Sequence, residues 1–181
     1  MRGYLGRVSA ALAVVLAASA VTAITAAPAM AAPLQSCATV TGTATFSPGL
    51  GNTPADNTIT AKGAESKCTP LAATDGAGSL TASIKVKAGS CAALATGKQK
   101  LTGTAVSTWK NKKTSKYSLT FTTGTGATAT TATISGTVTS GLFVGKKLTG
   151  AVKFTIVGKP NCTTSPVKSV TFKQTKPFVI A

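Results

Sequence analysis

The sequence predicts an all-β protein, a single antiparallel β-sandwich of about eight or nine strands, with a closed β-barrel as the alternative. Three observations support this fold class. Apolar and polar residues alternate at every step over several stretches, which is the period of a strand with one buried face. Turn-forming residues separate these stretches at intervals of roughly 8 to 15 residues. No segment beyond the N-terminal region shows a convincing helical period.

The most extended alternation covers residues 127–157 and predicts a β-hairpin. One strand covers residues 132–138 and the other residues 148–156, and the glycine-containing segment 140–145 joins them. Threonine and lysine occupy the opposite face of both strands, as expected for a face in contact with solvent. We interpret this hairpin as the middle of the sheet, because the shorter stretches repeat its pattern.

The remaining strands follow the same rule. A first strand at residues 38–46 and a short second strand at 58–62 flank a turn-rich segment, and a polar loop at 69–78 leads to a third strand at 80–86. Residues 92–97 form a helical turn or a loop. Strands at 101–109 and 117–121 flank an exposed loop, and after a turn at 158–161 Pro166 confines a last, irregular strand to an edge or a bulge.

Four cysteines indicate two disulfides in an exported protein. No two cysteines have the short spacing of a structural zinc site. If the first two strands pair antiparallel about Asn52, position 37 falls opposite position 67, so the geometry favours one of the three formal pairings. It joins Cys37 to Cys68 and Cys91 to Cys162. The two disulfides, together with a pattern rich in Gly, Ala and Thr and poor in aromatic residues, favour the sandwich over the barrel.

Residues 1–31 have the layout of a secretory signal peptide, and residues 32–181 then form a single β-domain. A basic start precedes a continuous small and apolar run, and Ala29 and Ala31 form the small-x-small cleavage site. Cleavage after Ala29 or Ala32 is a close alternative. We therefore expect a secreted, extracellular protein whose mature chain has no membrane span. The alternatives are a retained membrane anchor and a lipid anchor on Cys37, which follows a lipoprotein-like sequence.

The chain is strongly basic, with 19 Lys and Arg against 3 Asp and Glu and no His. Both arginines lie within residues 1–31, so removing that segment lowers the net charge from +16 to +14. Such a charge maintains solubility and favours anionic polymers, either wall polymers or nucleic acid without sequence preference. Without His and with few acids, the chain lacks the usual means of general base catalysis and metal binding. We identify no catalytic, metal-binding or cofactor-binding residues.

The predicted function is therefore non-enzymatic binding at or near the cell envelope or to an extracellular polyanion. The alternatives are a small-ligand-binding β-barrel and, after it, a secreted hydrolase or inhibitor. The candidate polyanion-binding residues are four lysines in the loop at 110–116, namely Lys110, Lys112, Lys113 and Lys116. Trp109 and Tyr117 flank this loop and are candidates for stacking against bases or sugars. The competing interpretation is a solvated loop between two core aromatics, because both rings share the buried parity of Leu119.

Three features resemble a group of small exported actinobacterial proteins: the sequence at residues 43–50, the single Trp109, and the sequence at residues 136–145. Four cysteines after an alanine-rich signal are part of the same resemblance, which covers most of the mature chain. It implies export and an all-β fold. The group has no assigned activity, so the resemblance transfers no functional residue. The ligand, physiological role and oligomeric state do not follow from the sequence.

Overall fold

In the computed structural model of the protein, residues 32–96, 99–124, 130–158 and 162–181 are described. The predicted signal peptide, residues 127–129 of the predicted hairpin and most of the predicted turn at 158–161 lie outside these ranges.

The described residues form an all-β protein, as the sequence predicts. Eight strands follow one another, each pairing antiparallel with the next, and the last pairs with the first to give a closed barrel. The strands are β1 (Gln35–Leu50), β2 (Ala55–Thr69), β3 (Ala77–Gly89), β4 (Lys100–Trp109), β5 (Thr114–Thr123), β6 (Thr131–Gly141), β7 (Lys147–Ile156) and β8 (Val167–Ile180). A 3₁₀ turn at Leu71–Ala73 and a short helix, α1 (Cys91–Thr96), complete the described elements.

The barrel corrects the predicted sandwich and confirms its stated alternative. Closure depends on β1, which pairs with β2 along one side and with β8 along the other. The β1–β8 register shifts between Cys37 and Thr41 and again between Thr45 and Leu50. Such irregularities bend a strand and increase its twist, which allows the sheet to close on itself. The alternating pattern of the sequence gives the buried face of each strand but not this last pairing.

Most strands are longer than the sequence predicts, and β2 and β8 are the two whose extension matters for the site and the closure. β2 continues seven residues past Lys62 to Thr69. β8 runs from Val167 to Ile180 and pairs on both sides, so the edge alternative is wrong, whereas its register shifts with β1 and β7 agree with the bulge alternative. Pro166 lies just before β8, and Pro177 coincides with a shift in the β7–β8 register near Thr149, where a missing N–H donor is tolerated. Residues 92–96 of the segment that the sequence predicts as a helical turn or a loop belong to α1, and residue 97 lies outside the described ranges.

Both predicted disulfides are confirmed, Cys37–Cys68 and Cys91–Cys162. Cys37 and Cys68 are direct partners in the β1–β2 register, one residue from the predicted pairing. The first disulfide lies at the end of the barrel that contains Trp109, which we call the Trp109 end. The second ties α1 to the segment before β8 at the opposite end, which we call the α1 end.

Candidate functional site

The barrel interior contains a cavity of about 140 Å³. Its lining is apolar except for three side chains, Glu65, Tyr117 and Thr123. Aromatic rings supply much of the remaining wall: Phe46, Phe121, Phe154, Phe172 and Phe178. Phe46 and Phe154 are only half-buried and lie toward the α1 end, so the interior approaches solvent there.

A row of small side chains crosses one half of the barrel, and three of its four alanines line the cavity. Four inward-facing alanines are direct neighbours across β1 to β4, in the order Ala44, Ala61, Ala82 and Ala105. The same row continues on β5 with Tyr117. Larger residues of β5 to β8 face these alanines across the barrel but do not fill the space that they leave. Barrels of eight strands are just wide enough to hold either packed side chains or one small ligand.

Glu65 lies at the base of this cavity. It belongs to a row in which Val40, Glu65, Gly78 and Trp109 are successive cross-strand neighbours. The side chains of Glu65 and Trp109 both lie over Gly78 and leave little room there, since a Cβ atom would lie 3.0 Å from both Glu65 Oε2 and Trp109 Cε3. The side chain of Glu65 is 4% exposed, and its Oε2 atom has no hydrogen-bond partner in the described structure.

Burial raises the pKa of Glu65 to about 7, because a charged carboxylate loses its hydration inside the barrel. The nearby Ser107 hydroxyl lowers the pKa by a smaller amount. Nevertheless, neither Glu65 Oε2 nor Ser107 Oγ makes a hydrogen bond of normal geometry, and Ser107 is fully buried. Buried polar atoms in native proteins are rarely left unpaired, so the two atoms indicate a site that a ligand could complete.

Tyr117 is the other polar side chain that lines this end of the cavity, and it is 3% exposed. Burial, and after it the negative charge of Glu65, raises the pKa of Tyr117 above its usual range. The nearby hydroxyls of Ser107 and Ser115 act on that pKa in the opposite direction. The phenol therefore remains protonated and can donate or accept a hydrogen bond.

Trp109 closes the barrel beneath Glu65. Its indole Nε1 donates to Ser115 Oγ at 2.9 Å, and Ser115 Oγ donates to the carbonyl of Leu142 at 2.9 Å. The ring of Phe143 packs edge-on against the indole, with centroids 6.3 Å apart. These contacts fix the ring, so the base of the cavity is rigid on the side of Trp109.

The positions of Trp109 and Tyr117 correct their assignment as stacking residues. Trp109 is 2% exposed and Tyr117 also faces the interior, so neither ring presents a face to a base or sugar outside the barrel. Their inward parity in the sequence predicts this position. Tyr117 instead lines the cavity, and Trp109 lies across Gly78 from Glu65, outside the cavity lining.

The four candidate lysines lie at the Trp109 end, in two settings. Lys110, Lys112 and Lys113 belong to the turn between β4 and β5, whereas Lys116 lies within β5 and faces outward. The predicted loop at 110–116 is thus a shorter turn at 110–113. Asn111 anchors this turn by donating to the carbonyl of Ala73 at 2.7 Å. All four lysines are exposed, and in the described part of the chain no carboxylate forms an ion pair with any of them.

The sequence reasoning missed Glu65 because it ended the second strand at Lys62. The signal was present, since Ile59, Ala61, Gly63 and Glu65 share one parity, and all but Gly63 line the cavity. An acid that continues the buried face of a strand is unusual, because ionised side chains are almost never fully buried without a partner.

Neither a metal-binding cluster nor a membrane-spanning helix is found among the described residues. No group of three His, Cys, Asp or Glu side chains could hold a metal ion. No helix of the described ranges is long and apolar enough to cross a membrane.

Comparisons with protein-family models, curated proteins and solved structures gave no match.

Proposed function

We propose that this protein binds a small, largely apolar molecule inside its barrel, without catalysing a reaction. The observation that carries the proposal is the apolar interior cavity of about 140 Å³, with the Glu65 carboxyl and the Tyr117 hydroxyl in its wall. Small-molecule sites are typically concave and apolar with a few placed polar groups, and the mouths of β-barrels are a common location.

The cavity volume limits the ligand to a small one. Pockets for drug-sized molecules occupy roughly 300 to 1,000 Å³. An apolar cavity of about 150 Å³ holds a molecule of the size of benzene. We therefore propose a ligand with one ring or a short aliphatic chain.

Binding is favoured over catalysis by the chemistry of the site. The chain contains no histidine, and the polar side chains that line the cavity are one carboxyl and two hydroxyls, those of Glu65, Tyr117 and Thr123. We also propose that the protein is secreted and acts outside the cell. The signal-like residues 1–31 support export, and the two disulfides are compatible with an oxidising compartment.

Benzene binding tests the proposed function. We expect benzene to shift the NMR signals of methyl groups that line the cavity, those of Leu119, Ile134 and Leu148. The variant Ala82→Phe should abolish these shifts, because it places a phenyl ring in the same space. Ala64→Phe is the matched control, since Ala64 lies on the outward face of β2 and is exposed. If wild-type protein shows no methyl shifts, or if both variants bind benzene equally, the proposed site is wrong.

As a second function, we propose weak binding of anionic polymers by Lys110, Lys112, Lys113 and Lys116. Two observations favour it: all four lysines are exposed at one end of the barrel, and no described carboxylate pairs with them. Lysines that neutralise phosphates release counterions, so the slope of log affinity against log salt is about −0.9 for each phosphate contact with duplex DNA. No sequence preference is expected, because lysine acts as a hydrated point charge.

Salt-dependent binding of duplex DNA, used as a model polyanion, tests this second function. Changing the four lysines to glutamine should reduce the slope of log affinity against log salt by roughly 3 to 4. The matched control removes the same charge from exposed lysines elsewhere on the barrel: Lys85, Lys100, Lys153 and Lys168. Equal slopes for the two variants would mean that the charge acts diffusely. No binding by wild type at low salt would refute the polyanion hypothesis.

A further inference from the structure

Three buried oxygen-bearing side chains lie close together at one end of the cavity: Glu65 and Tyr117 line it, and the Ser107 hydroxyl lies near both of them. Glu65 Oε2 and Ser107 Oγ are both buried and without hydrogen-bond partners among the described residues. Tyr117 lies close enough that the charge of Glu65 acts on its phenol. Leaving such groups unpaired costs free energy, whereas apolar side chains of similar shape would avoid that cost.

We propose that Glu65 and Tyr117, with Ser107 supporting the carboxylate from behind, recognise the primary ammonium head of a small aryl or alkyl amine whose apolar body fills the cavity. This inference rests on the proposed ligand-binding function and specifies the class of ligand. The ammonium group has three N–H donors and no acceptor, and this end of the cavity offers the oxygens of the Glu65 carboxylate and of the Tyr117 hydroxyl. An ammonium therefore matches the site in both charge and hydrogen-bonding capacity.

An amine matches this site better than a neutral head does. The carboxylate of Glu65 already loses its hydration when the protein folds, so only the ammonium must lose water on binding. A hydrogen bond in which both partners are charged is roughly twice as strong as a neutral one. An alcohol has one O–H donor and would leave part of the base unpaired.

The proposed recognition depends on pH in a defined direction. Glu65 must be ionised to pair with the ammonium, so preference for the amine should increase as pH rises through about 7. Tyr117 is the other titratable side chain among the described cavity-lining residues, and its pKa is raised, so it stays protonated over this range. The elements packed against Glu65 contribute Val40, Gly78 and Trp109 to its row, none of which titrates.

Three probes of matched size separate the head from the body: benzylamine, benzyl alcohol and ethylbenzene. They have the same number of non-hydrogen atoms and differ in the terminal group. Affinities would be measured for the intact mature protein by calorimetry, with the cavity methyl signals confirming the location. At about pH 8.5 we expect benzylamine to bind roughly tenfold to a hundredfold more tightly than benzyl alcohol, as expected for hydrogen bonds to charged groups. At about pH 5.5 the preference should be lost.

Two variants test the roles of the side chains. Glu65→Gln should remove the preference for benzylamine at all pH values but retain ethylbenzene binding, because the apolar body of the site is unchanged. Ser107→Ala keeps the carboxylate, so it should reduce the preference while keeping its pH dependence. If Glu65→Gln does not fold, Ser107→Ala and the pH titration of benzylamine binding to wild type still test the role of Glu65.

The outcomes distinguish the two levels of the proposal. If ethylbenzene binds wild type but benzylamine binds no more tightly than benzyl alcohol at about pH 8.5, the ammonium assignment is wrong and the ligand-binding function stands. A preference for benzylamine that is the same at low and high pH also overturns the role of Glu65. If none of the three probes binds inside wild type, the proposed function itself fails.

Discussion

Replacement of Glu65 by glutamine should make folding stability less dependent on pH. The pKa of Glu65 is about 7 in the folded protein, against 4.5 for an exposed glutamate, because the barrel removes water from the carboxylate. A difference of one pKa unit corresponds to about 1.36 kcal/mol, so this shift corresponds to about 3 kcal/mol. That is a large part of the roughly 5 to 15 kcal/mol by which small domains are stable.

The sign of the effect follows from proton binding. Between pH 4.5 and about 7, the folded state retains a proton on Glu65 that the unfolded state has released. The free energy of unfolding therefore falls as pH rises through this window. The contribution of Glu65 is fully present below pH 4.5 and is lost above about pH 7. Glutamine is neutral at every pH, so the free energy of unfolding of the variant does not fall over this window.

Urea unfolding with both disulfides intact measures the difference. Near pH 4, Glu65→Gln and wild type should agree within about 1 kcal/mol, because a protonated glutamate and a glutamine have similar shape and polarity. Near pH 8.5, the variant should be more stable by about 3 kcal/mol. Asp56 and Asp75 are present in both proteins, so their contributions cancel in the comparison.

A surface variant separates burial from net charge. Asp75→Asn removes one exposed carboxylate from the same chain and reports the effect of that charge change alone. Parallel stability profiles for wild type and Glu65→Gln from pH 4 to pH 8.5 would refute the reasoning, because they would mean that water or a neighbouring group keeps Glu65 hydrated in the folded protein.

Three further predictions concern the fold. Gly42→Ala should destabilise the protein by roughly 1 to 3 kcal/mol, because the added Cβ would lie 2.5 Å from the Phe172 ring. Gly51→Ala is the control, since its Cβ would meet no atom closer than 3.5 Å, and thermal unfolding of the two variants measures the difference. Replacing both Cys91 and Cys162, which are 71 residues apart, by serine should lower the free energy of unfolding by on the order of 4 kcal/mol, measured by urea unfolding. Peptide mapping of the wild-type protein should recover the two native disulfides. Ser115→Ala leaves the Trp109 indole N–H without its acceptor and should cost roughly 1 to 3 kcal/mol in the same assay, unlike an exposed Ser83→Ala.

The local structure could be predicted from the sequence because alternation directly reports which face of a strand is buried. Residues 80–86 and 101–109 illustrate this, since both lie within strands whose inward positions match the predicted parity. The pairing of Cys37 with Cys68 followed from the hairpin register, which a turn centred near Asn52 largely determines. These inferences depend on contacts that are close in sequence.

Barrel closure could not be predicted in the same way, because it depends on pairing between the first and last strands. Ala44 lies opposite Val170, and nothing in either local sequence specifies that partner. The cavity is likewise a property of the closed barrel. Pairing of the neighbouring strands β2 and β3 puts the inward alanines Ala61 and Ala82 in one row. Only closure of the barrel places that row opposite larger side chains. A sequence pattern predicts burial, but the volume left empty depends on which side chains face each other.

Glu65 connects the stability of the fold to the proposed recognition of an ammonium head. If Glu65→Gln gains about 3 kcal/mol above pH 7 and also loses the preference for benzylamine, then the carboxyl lowers stability at the pH where it binds. A bound amine would reverse that effect, since a ligand that binds only the folded state stabilises it and holds Glu65 in its ionised form. Wild-type protein saturated with benzylamine should then be stabilised more at about pH 8.5 than at about pH 5.5, whereas ethylbenzene should stabilise it equally at both. Equal stabilisation by the two probes at both pH values would separate the buried carboxyl from ligand recognition and leave it as a destabilising feature of the core.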